Sequence, residues 1–78
     1  MTFERMFSKD VYHARVQRGW KQPYVANILS ISLREYQNIE YRHVTPHLKT
    51  FLRLVYLFEL NIDDYREVLG IHDPVHPC

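Results

Sequence analysis

The sequence predicts an all-α protein, a compact domain of five short helices, and three observations support this class. Apolar side chains recur every three or four residues through most of the chain, which is the spacing of one face of an α-helix. Residues typical of helix starts and stops stand at the ends of these segments. The chain has only two glycines, too few for a turn-rich β fold. Its 78 residues predict a single domain, with a core over about residues 9–70 and a flexible tail over 71–78.

The first predicted helix covers residues 9–18, with Ser8 as its N-cap. Val11 and Ala14 are three residues apart and are expected to point inward. Gly19 stands where a left-handed residue usually ends a helix. The residues before Ser8 show no helical period.

Two short helices joined by a tight turn are predicted over residues 22–40. In the first of them, Val25, Ala26 and Leu29 form one apolar face. Pro23 pushes the preceding residue toward an extended conformation, so Gln22 is either the N-cap or the first helical residue.

The next predicted helix, over residues 33–40, starts after a second serine. Ser32 is expected to cap it through its hydroxyl group. Tyr36 and Ile39 form the inward stripe of this helix. Four other side chains are then left facing outward: Leu33, Arg34, Gln37 and Asn38.

The fourth helix is predicted to begin at Thr45–Pro46, with proline at the first helical position. Leu48, Leu52 and Val55 are expected to form its core stripe, with Phe51 and Phe58 as further candidates.

A fifth helix is predicted between Asn61 as its cap and Gly70 as its end. Tyr65 and Leu69 are expected to face the core. The remaining apolar groups of this region are candidates for a two-fold contact: Ile62, Val68 and Ile71.

Composition excludes several classes of protein. No apolar run reaches the 18 residues that a membrane span needs, and the charged start predicts no secretory signal. The single Cys78 allows no internal disulfide, as expected in a reducing cytoplasm. Three residues of the tail could in principle bind a metal: His72, His76 and Cys78. A structural zinc site needs four fixed ligands, and Pro74 interrupts any regular helix here, so no metal site or cofactor is expected. No catalytic set is suggested by spacing, so the chain is predicted not to be an enzyme, and no small-molecule substrate is expected.

The charge of the chain is unevenly distributed. Residues 13–49 contain six basic and two acidic side chains, a net charge of +4, whereas residues 50–78 carry a net charge of −3. The basic part contains the two-helix unit, as expected for one side facing an anionic partner. Ordinary surface charge is the alternative interpretation.

Several positions around the two-helix unit fall into one register. They are Gln22, Ala26, Ile31, Ser32, Ile39 and Glu40, with Arg18–Gly19–Trp20 before them and Pro46, residues 48–58 and residues 61–65 after them. In this register the chain resembles the helix-turn-helix DNA-binding domains of the phage repressor and Cro (XRE-type) family, over roughly residues 9–70. Ser30 stands where that family commonly has glycine, and Tyr41–Arg42 stand where it usually has Asn-Gly.

The resemblance implies that helix 33–40 enters the major groove of double-stranded DNA. Arginine, glutamine and asparagine match the donor and acceptor edges of bases there. The residues expected to read bases are Leu33, Arg34, Gln37 and Asn38. Those expected to meet the DNA backbone are Gln22, Lys21, Ser32, Arg42, His43 and Lys49. The resemblance also implies an ion pair between Arg15 and Glu40.

The function expected from this resemblance is sequence-specific transcriptional regulation by a homodimer on a near-palindromic operator. It also suggests a cytoplasmic protein of bacterial, phage or mobile-element origin. The alternative is a protein-interaction module that keeps the fold without specific DNA binding, because eleven aromatic side chains are many for so short a chain.

Overall fold

The structure, a computed structural model, describes residues 2–71, which form four α-helices and one short 3-10 helix. In chain order these are α1 (Phe3–Gln17), α2 (Gln22–Leu29), α3 (Leu33–Tyr41), α4 (Leu48–Leu57) and the 3-10 helix Ile62–Tyr65. No strand occurs in this part of the chain. The all-α class is confirmed, although the fifth element is a single 3-10 segment of four residues.

Helix α1 begins six residues earlier than the sequence predicts. Its N-cap is Thr2, whose hydroxyl oxygen accepts a hydrogen bond from the Arg5 backbone N–H at 3.3 Å. Ser8, predicted as the cap, lies inside the helix and is buried. Its hydroxyl donates to the Ile39 carbonyl oxygen at 2.6 Å. The prediction was wrong because this serine is satisfied by a neighbouring helix and not by its own backbone.

The end of α1 is formed as predicted by Gly19, which has a φ of 69°. Its N–H donates to the Val16 carbonyl at 2.9 Å, and the Trp20 N–H donates to the Arg15 carbonyl at 3.2 Å. These two bonds satisfy carbonyl groups that the helix end would otherwise leave free.

Two serines shape the link between α2 and α3. Ser30 has a φ of 58°, the left-handed conformation that glycine commonly supplies at such a turn. Ser32 is extended, and its hydroxyl oxygen accepts from the Glu35 N–H at 3.0 Å, which confirms it as the cap of α3. Ile31, between them, packs against the core. The link therefore turns the chain within three residues.

The core is shared by all the helices and by the 3-10 segment. Phe3, Phe7, Phe51 and Tyr65 form an aromatic cluster, in which the Phe7 and Phe51 ring centroids are 4.9 Å apart. The buried set is Phe7, Val11, Ala14, Val25, Ala26, Leu29, Tyr36, Ile39, Leu54, Phe58 and Tyr65.

Trp20 occupies the junction of α1, α2 and α4. Its ring centroid lies 5.3 Å from that of Tyr24 and 6.1 Å from that of Phe58. The Arg18 guanidinium carbon lies 5.7 Å from the Trp20 ring centroid and 5.2 Å from that of Phe58. The indole is thus half-buried between two aromatic rings and a cation.

Helix α4 begins at Leu48, with His47 as its N-cap, so Thr45 and Pro46 precede the helix. The predicted start was wrong by about two residues. Pro46 lies just before the N-cap, where the backbone N–H that proline lacks is not needed for a helical hydrogen bond.

The predicted core stripe of α4 was right for Phe51, Val55 and Phe58, was wrong for Leu48 and Leu52, and left out Leu54. Leu54 and Phe58 are buried, whereas Leu48 is 72% exposed and Leu52 is 48% exposed. Phe51 and Val55 pack partly against the core. Apolar residues occupy most sides of this helix, and packing of Phe51 into the aromatic cluster selects which side faces inward.

The segment after α4 packs through one tyrosine. The Asn61 side chain accepts from the Asp63 N–H at 3.0 Å and caps the 3-10 helix, as predicted. Tyr65 is buried and donates to Asp10 Oδ2 at 2.7 Å. Leu69, predicted to be buried, is 49% exposed. The chain is not a regular α-helix here, so a four-residue spacing does not place both side chains on one face.

Candidate nucleic-acid interface

The outer face of α3 carries the side chains that the sequence places there. Leu33 is 39% exposed and Arg34 is exposed, while Gln37 and Asn38 are half-buried. Tyr36 and Ile39 are buried on the opposite side, as predicted. Leu33, Arg34, Gln37 and Asn38 therefore form an outward surface on α3, here called the polar ridge, which is not part of the core.

Gln22 connects this ridge to α2. It is the first residue of α2, with Lys21 as the N-cap. Its side-chain Nε2 donates to Tyr41 Oη at 2.8 Å and to Glu40 Oε1 at 3.0 Å. Its Oε1 accepts from Gln37 Nε2 at 3.3 Å. The Gln22 amide thus hydrogen-bonds to Gln37, Glu40 and Tyr41, which restrains these three side chains of α3.

Beneath the ridge, Arg15 and Glu40 form the ion pair between α1 and α3. Arg15 Nε lies 2.7 Å from Glu40 Oε2, and the two side chains are 13% and 0% exposed. A second guanidinium nitrogen donates to Glu40 Oε1 at 3.1 Å, and the third donates to the Trp20 carbonyl at 2.9 Å. The Tyr36 hydroxyl also donates to Glu40. This bidentate pair holds α3 against α1.

The network changes the proton affinity of its members. The hydrogen bond to Glu40 raises the pKa of Arg15 above its ordinary value. Burial raises the pKa of the Tyr36 hydroxyl, and its hydrogen bond to the Glu40 carboxylate raises that pKa further. Both groups therefore keep their protons at neutral pH.

The residues expected to contact the DNA backbone belong to different elements. Lys21 is exposed at the start of α2, and Lys49 is exposed in the first turn of α4. The Ser32 hydroxyl oxygen already accepts a capping bond. Arg42 is exposed at the end of α3.

His43 is the exception among these residues. It has a φ of 54°, so it supplies the left-handed turn that follows α3. Its Nδ1 is buried and has no hydrogen-bond partner among the described residues. This nitrogen faces inward, so only the other edge of the ring is available for a phosphate.

Tyr41 is a candidate that sequence reasoning did not include. Its side chain is 62% exposed, and its hydroxyl is held by Gln22. The signal was present in the sequence, because Tyr41 lies four residues after Gln37 and seven after Arg34. On a helix these spacings place the three side chains on one face.

Comparisons with known proteins give no relative for this chain. No family model matches it, and neither a curated protein nor a solved structure matches it.

No helix of residues 2–71 is both long enough and apolar enough to cross a membrane. In the same range no group of three or more histidine, cysteine, aspartate or glutamate side chains is placed to hold a metal ion. The tail residues considered as ligands, His72, His76 and Cys78, lie outside the described residues.

Proposed function

We propose that this chain is a sequence-specific double-stranded DNA-binding transcriptional regulator, with α2, the link and α3 acting as a repressor-like helix-turn-helix. The observation that carries the proposal is the polar ridge of α3, whose glutamine is held in place by Gln22 from α2. These polar groups have no role in the core, and their spacing fits a helix lying in a major groove about 12 Å wide. The proposal assigns no catalytic activity and no cofactor to the chain.

Positioning of α3 is the second support. A recognition helix reads bases only if its tilt relative to the rest of the domain is fixed. The buried pair of Arg15 and Glu40 ties α3 to α1, and the Ser8 hydroxyl adds a bond to the Ile39 carbonyl. These contacts restrain α3 from the side opposite the ridge.

The ridge residues suggest individual roles in base reading. Arg34 suits guanine, and Leu33 suits a thymine methyl group. Gln37 and Asn38 suit adenine, although Gln37 already donates one N–H to Gln22. Lys21, Arg42 and Lys49 are exposed cations that suit phosphates beside the groove.

A homodimer is the form that we propose for specific binding, since one module this small buries little DNA surface. Ile62 is 49% exposed and Ile71 is 56% exposed, so both are available for a two-fold contact. Val68 packs partly against the core and is a weaker candidate. Two copies would place their α3 helices on half-sites about one helical turn apart.

Selection from a random duplex DNA pool at moderate salt tests this proposal. We expect enrichment of a near-palindrome whose half-site spacing reports the dimer. Retention without any enriched motif, and strongly weakened by salt, would reduce the basic region to non-specific attraction.

A pair of arginine variants makes the test specific to α3. Arg34→Ala is expected to cost about 1–3 kcal/mol of binding free energy and to relax selection at one base position. Arg5→Ala removes an exposed arginine from the first turns of α1, and so serves as the matched control. Equal losses for the two variants would mean that Arg34 acts only through its charge.

A second candidate function, protein interaction, is favoured by one observation. Leu48, Leu52 and Tyr56 form an exposed stripe along α4, with exposed fractions of 72%, 48% and 89%. Apolar and aromatic side chains in such a stripe are typical of protein interfaces. If Arg34→Ala leaves DNA affinity intact while Tyr56→Ser abolishes binding to a captured protein, this second function replaces the first.

A further inference from the structure

A cavity of about 240 Å³ lies between the inner edge of α3 and the chain that leads into α4. Its apolar lining includes Ile31, Ile39 and Val44, and its polar lining includes Glu35, Asn38 and Thr50. The volume is just below the range of about 300–1,000 Å³ that holds drug-sized ligands. Only a compact molecule would fit.

Among the described residues that line this cavity, Glu35 is the one carboxylate and His47 is the one histidine. Glu35 forms neither of the ion pairs found in residues 2–71, and no lysine or arginine is among the residues that line the cavity there. An acidic group on the proposed DNA-facing helix is unfavourable beside a polyanion. Its place in the lining of the cavity would let it pair with a cation bound there.

We infer that this cavity is a binding site for a small alkylammonium ion, whose cationic head meets Glu35 and whose alkyl body covers the isoleucine and valine side chains. The hydroxyl of Thr50, also in the lining, can accept a further ammonium hydrogen. An exposed ion pair contributes little by itself, so apolar contact must supply most of the affinity.

Such a ligand would regulate DNA binding, and this part of the inference rests on the proposed function. Neutralising Glu35 removes a negative charge from the face that approaches DNA. Ligand and DNA would then strengthen each other, because coupling between two binding sites is reciprocal. The ion would act as a co-regulator and not as a substrate.

Titration of the ¹⁵N-labelled protein with 3-methylbutylammonium chloride, followed by NMR without DNA, tests the site itself. We expect saturable shifts at the amides of Ile31, Asn38 and Thr50. The neutral analogue 3-methyl-1-butanol is expected to bind about fivefold more weakly, the ratio that one exposed ion pair provides. Glu35→Gln should remove this difference, and Glu67→Gln, an exposed acid outside the cavity, should preserve it. Absence of saturable shifts, or equal binding of amine and alcohol to the wild type, overturns the site.

DNA affinity at constant total salt tests the regulation separately. The alkylammonium ion is expected to tighten binding to the selected operator by about threefold, as neutralising one exposed charge allows. Glu35→Gln should bind tighter without the ion and should not respond to it. Ligand binding that leaves DNA affinity unchanged overturns the regulation, while failure to find any operator overturns the proposed function and leaves the NMR result standing.

Discussion

The Glu40 carboxylate accepts hydrogen bonds from side chains on three different helices: Arg15 on α1, Gln22 on α2 and Tyr36 on α3. Its side chain is fully buried. A buried charge is tolerated only while its partners are present, because transfer from water costs several kcal/mol. The cost of losing this group should therefore exceed that of any one hydrogen bond.

Glu40→Gln is predicted to lower the free energy of unfolding by about 3 kcal/mol, because it leaves the Arg15 guanidinium without its counter-charge. Urea denaturation followed by circular dichroism measures the change. Glu67→Gln, an exposed acid, is the control and should change stability by less than about 0.5 kcal/mol. Equal stability of the Glu40 variant and the wild type would show that the pair contributes nothing.

The two buried tyrosine hydroxyls predict a loss of stability at alkaline pH. The pKa of Tyr36 and that of Tyr65 are raised, first by burial and then by hydrogen bonds to Glu40 and Asp10. Above about pH 10 the unfolded chain releases these protons while the folded chain retains them. Their contribution is thus complete below pH 10 and is lost as pH rises toward the folded-state values.

Unfolding free energies measured from pH 8 to 11 check this prediction. The wild type should lose stability steeply above pH 10, and the double variant Tyr36→Phe, Tyr65→Phe should lose it less steeply. Tyr41→Phe and Tyr56→Phe, at exposed positions, provide the matched control and should keep the wild-type slope. A double variant with the wild-type slope would contradict the assignment.

At the scale of elements, the link between α2 and α3 depends on two serines with opposite conformations. Ser30 adopts a positive φ, which costs a residue with a side chain about 1 kcal/mol or more. Ser32 is extended and satisfies a backbone N–H of α3. Substitutions at the two positions should therefore act in opposite directions.

Ser30→Gly is predicted to stabilise the protein by about 0.5–1 kcal/mol, because it relieves the left-handed conformation at a modest cost in chain entropy. Ser32→Ala is predicted to destabilise it by about 1 kcal/mol through loss of the cap. Thermal unfolding of both variants beside the wild type checks the signs. Two changes of the same sign would mean that the link is not built as described.

The elements also show what the sequence can and cannot determine. Ser32, Gly19 and the inward face of α3 were predicted correctly, because a cap, a left-handed end and a clean amphipathic period are all local signals. The start of α1 was missed because a serine that looks like a cap finds its partner 31 residues away.

The register of α4 shows a different limit. Its sequence is apolar on most sides, so periodicity alone does not show that Leu54 is buried while Leu48 and Leu52 are exposed. Tertiary packing decides it. Of the candidate interface, the outward residues of α3 followed from its period, and Tyr41 could have been found from the same period, whereas the hydrogen bonds of Gln22 required the fold.

At the scale of the whole molecule, stability depends on a small aromatic core. A chain of this length is expected to have a free energy of unfolding of about 4–12 kcal/mol. Phe7 is 1% exposed and contacts the rings of Phe3, Phe51 and Tyr65. The N-terminal turns of α1 are thus part of the core, although the sequence showed no period there.

Phe7→Ala is predicted to cost about 3–5 kcal/mol, a large share of the total stability, because it leaves a cavity in the aromatic cluster. Tyr56→Ala removes an aromatic ring that is 89% exposed, and should change stability by less than about 0.5 kcal/mol. Chemical denaturation of both variants measures the contrast. A similar effect for both would show that α1 does not pack as described.

Trp20 is the only tryptophan of the chain, and it sits where α1, α2 and α4 meet. Its ultraviolet fluorescence can therefore follow folding without an attached dye or an engineered label. Opening of this junction would bring water to the indole and move it away from the Arg18 guanidinium, so emission would shift to longer wavelength.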